Sequence, residues 1–154
     1  MFLRVISTGS KAGNCYALIS DSGQILLLDF GCDKKKILRG IDYRVFDIVG
    51  AVLSHGHMDH AKSYQWLLEN WIPIYTNDET VEGFEVVTGE LLKCLSEKKW
   101  IQRGEFKVMG FYVPHDNTPN FGFLIEHEEM GRLLYLTDLE YCPYNSKTFG
   151  CSTS

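Results

Sequence analysis

The sequence predicts a mixed α/β (α+β) domain, with helices and strands layered around a sheet core. Three observations carry that expectation. Strand-like segments dominate both ends of the chain, with helical segments on the crossovers between them. The run Ile25–Asp29, ILLLD, is apolar almost throughout, as in a strand covered on both faces, and Ile48–Leu53 reads as a second buried strand. Asp21-Ser22-Gly23-Gln24 and Glu128-Glu129-Met130-Gly131 each separate two strand-like runs with the residues that hairpin turns use.

Taken in order, Leu3–Ser7 alternates weakly and is rich in β-formers, so a first strand is expected there. Thr8–Asn14, TGSKAGN, is a loop with two glycines. Cys15–Ser20 and Ile25–Asp29 form a hairpin, and Lys34–Arg39 forms a short helix capped by Asp33. Ile48–Leu53 then delivers the chain into a histidine-rich loop. Ala61–Asn70 has helical spacing, with Tyr64, Leu67 and Leu68 on one side, and Pro73 ends it. Ile74–Thr76 is a short strand. Asn77–Gly83 and Leu91–Leu95 read as helices, the first capped by Asn77 or Asp78. Phe106–Val113 is a strand, and Phe121–Glu126 and Leu133–Thr137 make a final hairpin.

Length and composition narrow the class. A chain of 154 residues suits a single domain over 1–154, and it buries enough surface to hold a core without disulfides. Its 45% hydrophobic and 23% charged content is that of a globular protein. No apolar run approaches the roughly 20 residues that span a bilayer. The N-terminus lacks the basic and apolar regions of a signal peptide, so a cytoplasmic protein with no membrane partner is expected. Five cysteines without a C-x-x-C pair argue against a disulfide framework or zinc ribbon and for free, mostly buried thiols. A formal net charge of −5 argues against a protein that coats nucleic acid, though not against one that meets a phosphodiester at a single metal-loaded spot.

The chemistry concentrates in His55-Gly56-His57-Met58-Asp59-His60, four ligand-type side chains within six residues, just after a buried strand. Neutral imidazole and carboxylate suit Zn²⁺ and similar first-row ions. Gly56 allows the tight turn that lets the flanking histidines converge. Buried histidine and aspartate at such density would be costly to desolvate without an ion to bind.

His-x-His-x-Asp-His after a strand resembles the signature of the metallo-β-lactamase-fold hydrolases. The likeness runs through residues 1–145 in order, with Asp29 in LLLDFG, His115 in VPHDNTPNFGFLIE and Asp138 in LLYLTDLEY. STGSKAGNCY and FGFLIE look most like the YycJ-like branch, which includes exonuclease-like phosphodiesterases. The resemblance implies an αββα sandwich, incomplete at the C-terminus. It implies one metal held by His55, His57 and His115, and a second held by Asp59 and His60 with Asp138 bridging. Zn²⁺ or Mn²⁺, one or two ions per chain, is the implied cofactor. Family members add one more histidine after a late strand. Here only 16 residues and no histidine follow Asp138. The second site is therefore expected to bind more weakly.

The implied activity is hydrolysis of a phosphodiester by hydroxide generated at the metal, with Asp59 orienting the nucleophile or accepting its proton. Nucleic acid is among the candidate substrates. Two alternatives stay open: a non-catalytic metal-binding domain that serves as an assembly module, and a glyoxalase-type thioester hydrolase. The short C-terminus also implies an uncovered edge and face, hence a homodimer or a complementing C-terminal fragment as partner. Around the loop, Asp29 is a candidate to orient a metal-ligating histidine, or else a strand-end carboxylate capping the next turn. Asn14 with the loop Ser10–Gly13, and Asn117 and Asn120, are candidates to approach substrate, or else loop-shaping residues. His127 reads as a solvated strand end. Lys34-Lys35-Lys36 and Arg39 read as a solvated helix face that can also steer a phosphate backbone.

Overall fold

The computed structural model describes residues 1–84, 90–113 and 120–137, and the backbone alone of 151–153. Two sheets pack face to face. The first has the order β1 (Phe2–Ser7), β2 (Cys15–Ile19), β3 (Ile25–Phe30), β4 (Ile48–Val52), β5 (Ile74–Thr76) and β6 (Leu92–Cys94). The second runs β11 (Cys151–Thr153), β10 (Gly131–Leu136), β9 (Phe121–His127), β8 (Phe106–Tyr112) and β7 (Trp100–Arg103). β1, β2 and β3 form an antiparallel meander, whereas β3 to β6 are parallel. Parallel pairing requires crossovers. These carry α1 (Lys34–Gly40), α2 (Met58–Ala61), α3 (Tyr64–Glu69) and α4 (Asp78–Glu82).

Strand periodicity divides the core. Ala17, Ile19, Ile25 and Leu27 face the helices, with Ile37 and Leu67 packed among them. Tyr16, Leu18, Leu26 and Leu28 face the other way, onto Val108, Phe123, Ile125 and Tyr135 of the second sheet. Both faces of β2 and β3 are buried, which is why the run of β3 is apolar instead of alternating. The outer face of the second sheet carries its own cluster of Phe111, Val113, Leu124, Leu134 and Leu136. The architecture is thus a helix–sheet–sheet sandwich, the mixed α/β class expected.

The local chemistry follows the sequence at most boundaries. Asp33 caps α1 by accepting from the Lys35 and Lys36 N–H groups at 2.9 and 3.3 Å. Asn77 caps α4 by accepting from Thr80 N–H at 2.7 Å. Two expectations fail. The helix over Leu91–Leu95 is instead β6, whose neighbouring Leu91 carbonyl accepts from Ile74 N–H at 2.8 Å. A stretch of five residues fits either period, and a parallel sheet edge supplied the backbone partners. The helix over 61–70 is broken at Ser63, whose N–H and hydroxyl are tied to the carbonyls of Phe30 and Cys32 at 3.0 and 2.6 Å. The strands β7 and β11 lay in segments whose alternation is too weak to predict them. Among the described cysteines, Cys15 and Cys32 are buried free thiols but Cys94 is exposed, because short β6 leaves its outward side chain uncovered.

Candidate metal centre

The parallel pairing of β3, β4 and β5 brings their carboxyl ends to one edge, where polar side chains gather: Asp29 within the end of β3, Ser54-His55 after β4 and Asn77 after β5. That edge is where open parallel sheets place their ligand crevices. Antiparallel β2 begins at the same edge, so the glycine loop before it arrives there too. From the second sheet, Phe121 N–H donates to Ser54 C=O at 2.8 Å and Val113 N–H to Asn120 C=O at 3.0 Å.

His55 and His60 are buried, His57 is exposed and Asp59 is half-buried. His57 sits at the N-cap of α2 without using its ring to cap it, and one helical turn later His60 comes back beside it. The rings of His55 and His57 lie 4.7 Å apart, and those of His55 and His60 4.3 Å. One ligand atom from each of His55, His57 and Asp59 falls within 4.8 Å of the other two. With metal–ligand bonds of about 2.0–2.2 Å, ligand atoms this close suit one ion or two adjacent ones.

Asp29 organises the site from below. It is the extra residue of a bulge, because Cys15 and Tyr16 on β2 pair with Phe30 and Leu28 and skip it. Its φ of 58° is left-handed, and the bulge swings its carboxylate off the ladder toward the histidines. His60 Nδ1–H donates to Asp29 Oδ2 at 2.8 Å. Ser54 N–H donates to Oδ1 at 2.8 Å, and the Ser54 hydroxyl reaches both carboxylate oxygens at 3.1 and 3.0 Å. Tyr135 of β10 donates to Oδ2 at 2.6 Å. Burial, reinforced by the Asp29 charge, pushes the Tyr135 hydroxyl well above the ordinary phenol range, so it remains a donor. Because His60 Nδ1–H is engaged by Asp29, Nε2 carries the lone pair a metal uses, the one that Asn14 Nδ2 faces at 3.3 Å. The Ser54 hydroxyl has one proton; given to Asp29, the oxygen accepts Nδ1–H of His55 at 3.1 Å. That places the ring's lone pair on Nε2 in the same sense. A carboxylate holding a ligating histidine by its other ring nitrogen is the usual support of such a site. The donor set fits a first-row divalent ion.

The remaining candidates divide. Asp29 takes the orienting role, not the capping one. Asn14 turns inward: Gly9 N–H donates to its Oδ1 at 3.2 Å, and its Nδ2 donates to Asp59 C=O at 3.2 Å and faces His60 Nε2 at 3.3 Å. It braces the loop instead of reaching outward for substrate. Asn120 is buried and donates to Thr137 C=O at 2.7 Å, a loop-shaping role. His115, Asn117 and Asp138 lie outside the described residues. Lys34, Lys35, Lys36 and Arg39 are exposed, as expected of a solvated face.

His127 corrects an expectation. It is buried at 4% exposure, not solvated, because β9 extends to include it and its ring packs on Phe106 at 4.9 Å. With Glu105 and Glu129 it forms a second group of ligand-type atoms within 4.8 Å. Its Nδ1, however, accepts Glu129 N–H at 3.0 Å, so the neutral ring carries its proton on Nε2. That nitrogen then offers the carboxylates a donor, and a cation no lone pair. Two residues that matter escaped sequence reasoning. Ser54 was legible only as the residue where a buried strand meets the histidines, and Tyr135 carried no local signal at all.

Comparison with known proteins agrees with this geometry. Residues 8–85 match the profile of the Metallo-beta-lactamase superfamily. An uncharacterized protein of Aquifex aeolicus (strain VF5) is 31% identical over 152 residues, covering 90% of this chain and 71% of that one. Exodeoxyribonuclease YycJ of Bacillus anthracis is 25% identical over 148 residues, covering 89% of this chain and 54% of the relative. The solved structure of the metallo-beta-lactamase fold protein YhfI from Bacillus subtilis superposes with a TM-score of 0.67 at 19% identity, over 87% of this chain and 61% of that one. The chain therefore spans little more than half the length of the exodeoxyribonuclease and about three-fifths of YhfI. With the profile covering half of its residues and running through the histidine loop, the chain belongs to the metallo-beta-lactamase superfamily of metal-dependent hydrolases.

Proposed function

We propose that this chain is a metal-dependent phosphodiesterase, nuclease-like in its choice of substrate, with Zn²⁺ or Mn²⁺ at the loop His55–His60. The observation that carries the reading is the convergence of His55, His57 and Asp59 within 4.8 Å, beside a His60 already oriented by Asp29. His115 is the further ligand proposed for the first ion. Asp59 and His60, with Asp138 bridging, are proposed for a second, weaker one. The phosphodiester substrate is supported by the relative named as an exodeoxyribonuclease.

A bound divalent ion supplies Lewis acidity and a water activated near neutral pH. The protein's own part is positional. Asp29 and Ser54 hold the two buried imidazoles as neutral ligands. Asp59, half-buried with its Oδ2 3.6 Å from His60 Nε2, would orient the attacking water and accept its proton.

The test is metal analysis of purified protein, followed by hydrolysis of bis(p-nitrophenyl) phosphate, single-stranded DNA and a glutathione thioester. Metal-dependent cleavage of the phosphodiesters, abolished in His57→Ala, is expected. Cleavage of the thioester alone moves the chain to the glyoxalase-type reading. Tight metal binding with no turnover of any of the three makes it a metal-binding assembly module.

A further inference from the structure

We propose that Tyr135 is a positioning residue for the metal loop: its hydroxyl, reaching across from the second sheet, holds Asp29 so that His60 presents Nε2. This rests on the metal-site reading above and adds a residue to it.

Asp29 is fully buried. A buried carboxylate must have its lone pairs filled by donors or the charge is lost. Oδ1 is filled by Ser54 N–H, from the same sheet and the same loop. Oδ2, the atom that receives His60 Nδ1–H, is shared with the Tyr135 hydroxyl at 2.6 Å, a length typical of a charge-assisted O–H···O⁻ bond. These two donors, with the Ser54 hydroxyl that reaches Oδ1 and Oδ2 at 3.1 and 3.0 Å, fix the carboxylate's rotation about its Cβ–Cγ bond.

The phenol is itself immobile. Tyr135 is 3% exposed, stands edge-on to Tyr16 with ring centroids 5.9 Å apart, and pairs with Phe123 in the ladder. The confined ring holds the hydroxyl oxygen beside Asp29. The Asp29 backbone, by contrast, is bulged and left-handed, so its own strand does not pin the side chain. Removing the hydroxyl leaves Oδ2 one donor short inside the core. The carboxylate is then free to turn toward Ser54 and release Nδ1–H, and Nε2 of His60 is no longer a reliably presented lone pair.

The experiment compares the unmodified protein with Tyr135→Phe by ¹⁵N-histidine NMR for the tautomer of His60, and by calorimetric titration with Zn²⁺ and Mn²⁺. A fixed Nδ1–H tautomer in the unmodified protein is expected. Tyr135→Phe should mix the tautomers and weaken metal binding about 10–100-fold, as loss of an orienting partner does elsewhere. In an Asp29→Asn background the same change should cost nothing further. A Tyr135→Phe protein with an unchanged tautomer and unchanged affinity overturns the proposal, even if its melting temperature falls. If the unmodified protein binds no metal and His57→Ala behaves identically, the metal reading fails. The tautomer, read without metal, still decides the role of Tyr135. Should Tyr135→Phe not fold, the unmodified protein decides it. A nuclear Overhauser contact between the Tyr135 hydroxyl proton and His60 Nδ1–H supports the arrangement, and its absence from a spectrum showing both protons overturns it.

Discussion

At the scale of single residues the candidate site depends on what surrounds the histidines as much as on the histidines. Asp29→Asn keeps the shape of the side chain but replaces one acceptor oxygen by a donor, which opposes His60 Nδ1–H or the Ser54 donors. Metal affinity should fall about 10–100-fold while the fold survives, measured by titration and by circular dichroism. An Asn variant that binds metal as tightly as the unmodified protein would remove Asp29 from the site. Gly31 matters for a different reason. A Cβ there would collide with the Asp59 carbonyl and with His60 N, so the backbone of β3 and that of the histidine loop touch at this point. Gly31→Ala should destabilise by about 1–3 kcal/mol, the range for overpacking, and should lower metal content as the loop is displaced. A melting temperature and metal stoichiometry equal to those of the unmodified protein would contradict that contact.

At the scale of elements, the caps were readable and their worth can be measured. Asn77→Ala leaves Thr80 N–H without its acceptor at the start of α4, in a fully buried position. A loss of about 1 kcal/mol, within the 0.5–2 range for caps, is expected from chemical denaturation. Asp33 offers a test in pH. The Lys36 and Lys35 backbone donors hold its carboxyl below the ordinary carboxylate range in the folded chain. A depressed folded pKa means that its contribution is fully present above the unfolded value and disappears as pH falls through the folded one. Between pH 5 and pH 3 the melting temperature of the unmodified protein should drop more steeply than that of Asp33→Asn, which caps without titrating. Parallel curves for the two proteins would show that the cap is not ionic. Element boundaries were legible where such chemistry marked them. They were misread at β6 and at Ser63, where a sheet edge and a loop far along the chain supplied the hydrogen bonds.

For the whole molecule, metal and assembly are coupled to stability. An ion that binds only the folded chain adds about 2.7 kcal/mol when present at 100 times its dissociation constant. Chelation should therefore lower the melting temperature, and zinc should restore it; no response to either would argue against a built metal site. β1 is an edge strand of the first sheet, and Leu3 and Val5, paired with Leu18 and Tyr16 of the inter-sheet core, are 40% and 60% exposed. Among the described residues no strand pairs with its outer side, and apolar side chains on such an edge favour pairing with another chain. Sedimentation at micromolar concentration should show a homodimer. A compact monomer that unfolds cooperatively would mean that this edge is tolerated in water.

What the sequence determined by itself was everything governed by neighbours along the chain. The apolar run of β3, the caps Asp33 and Asn77, and the ligand chemistry of His55-Gly56-His57-Met58-Asp59-His60 are local patterns, and local physics reads them. The orienting role of Asp29 was legible as one of two options, because a strand-end acid before a glycine fits both. Only the tertiary structure chose, through a bulge whose register depends on β2 and a helix turn 31 residues further on. The role of Tyr135 was beyond any local reading, since it lies 106 residues from Asp29 and on the opposite sheet. The burial of His127 and the strand identity of β6 share that cause. Each was decided by a backbone or ring that the chain delivers from elsewhere, and hydrogen bonds of that kind leave no periodicity in the sequence that makes them.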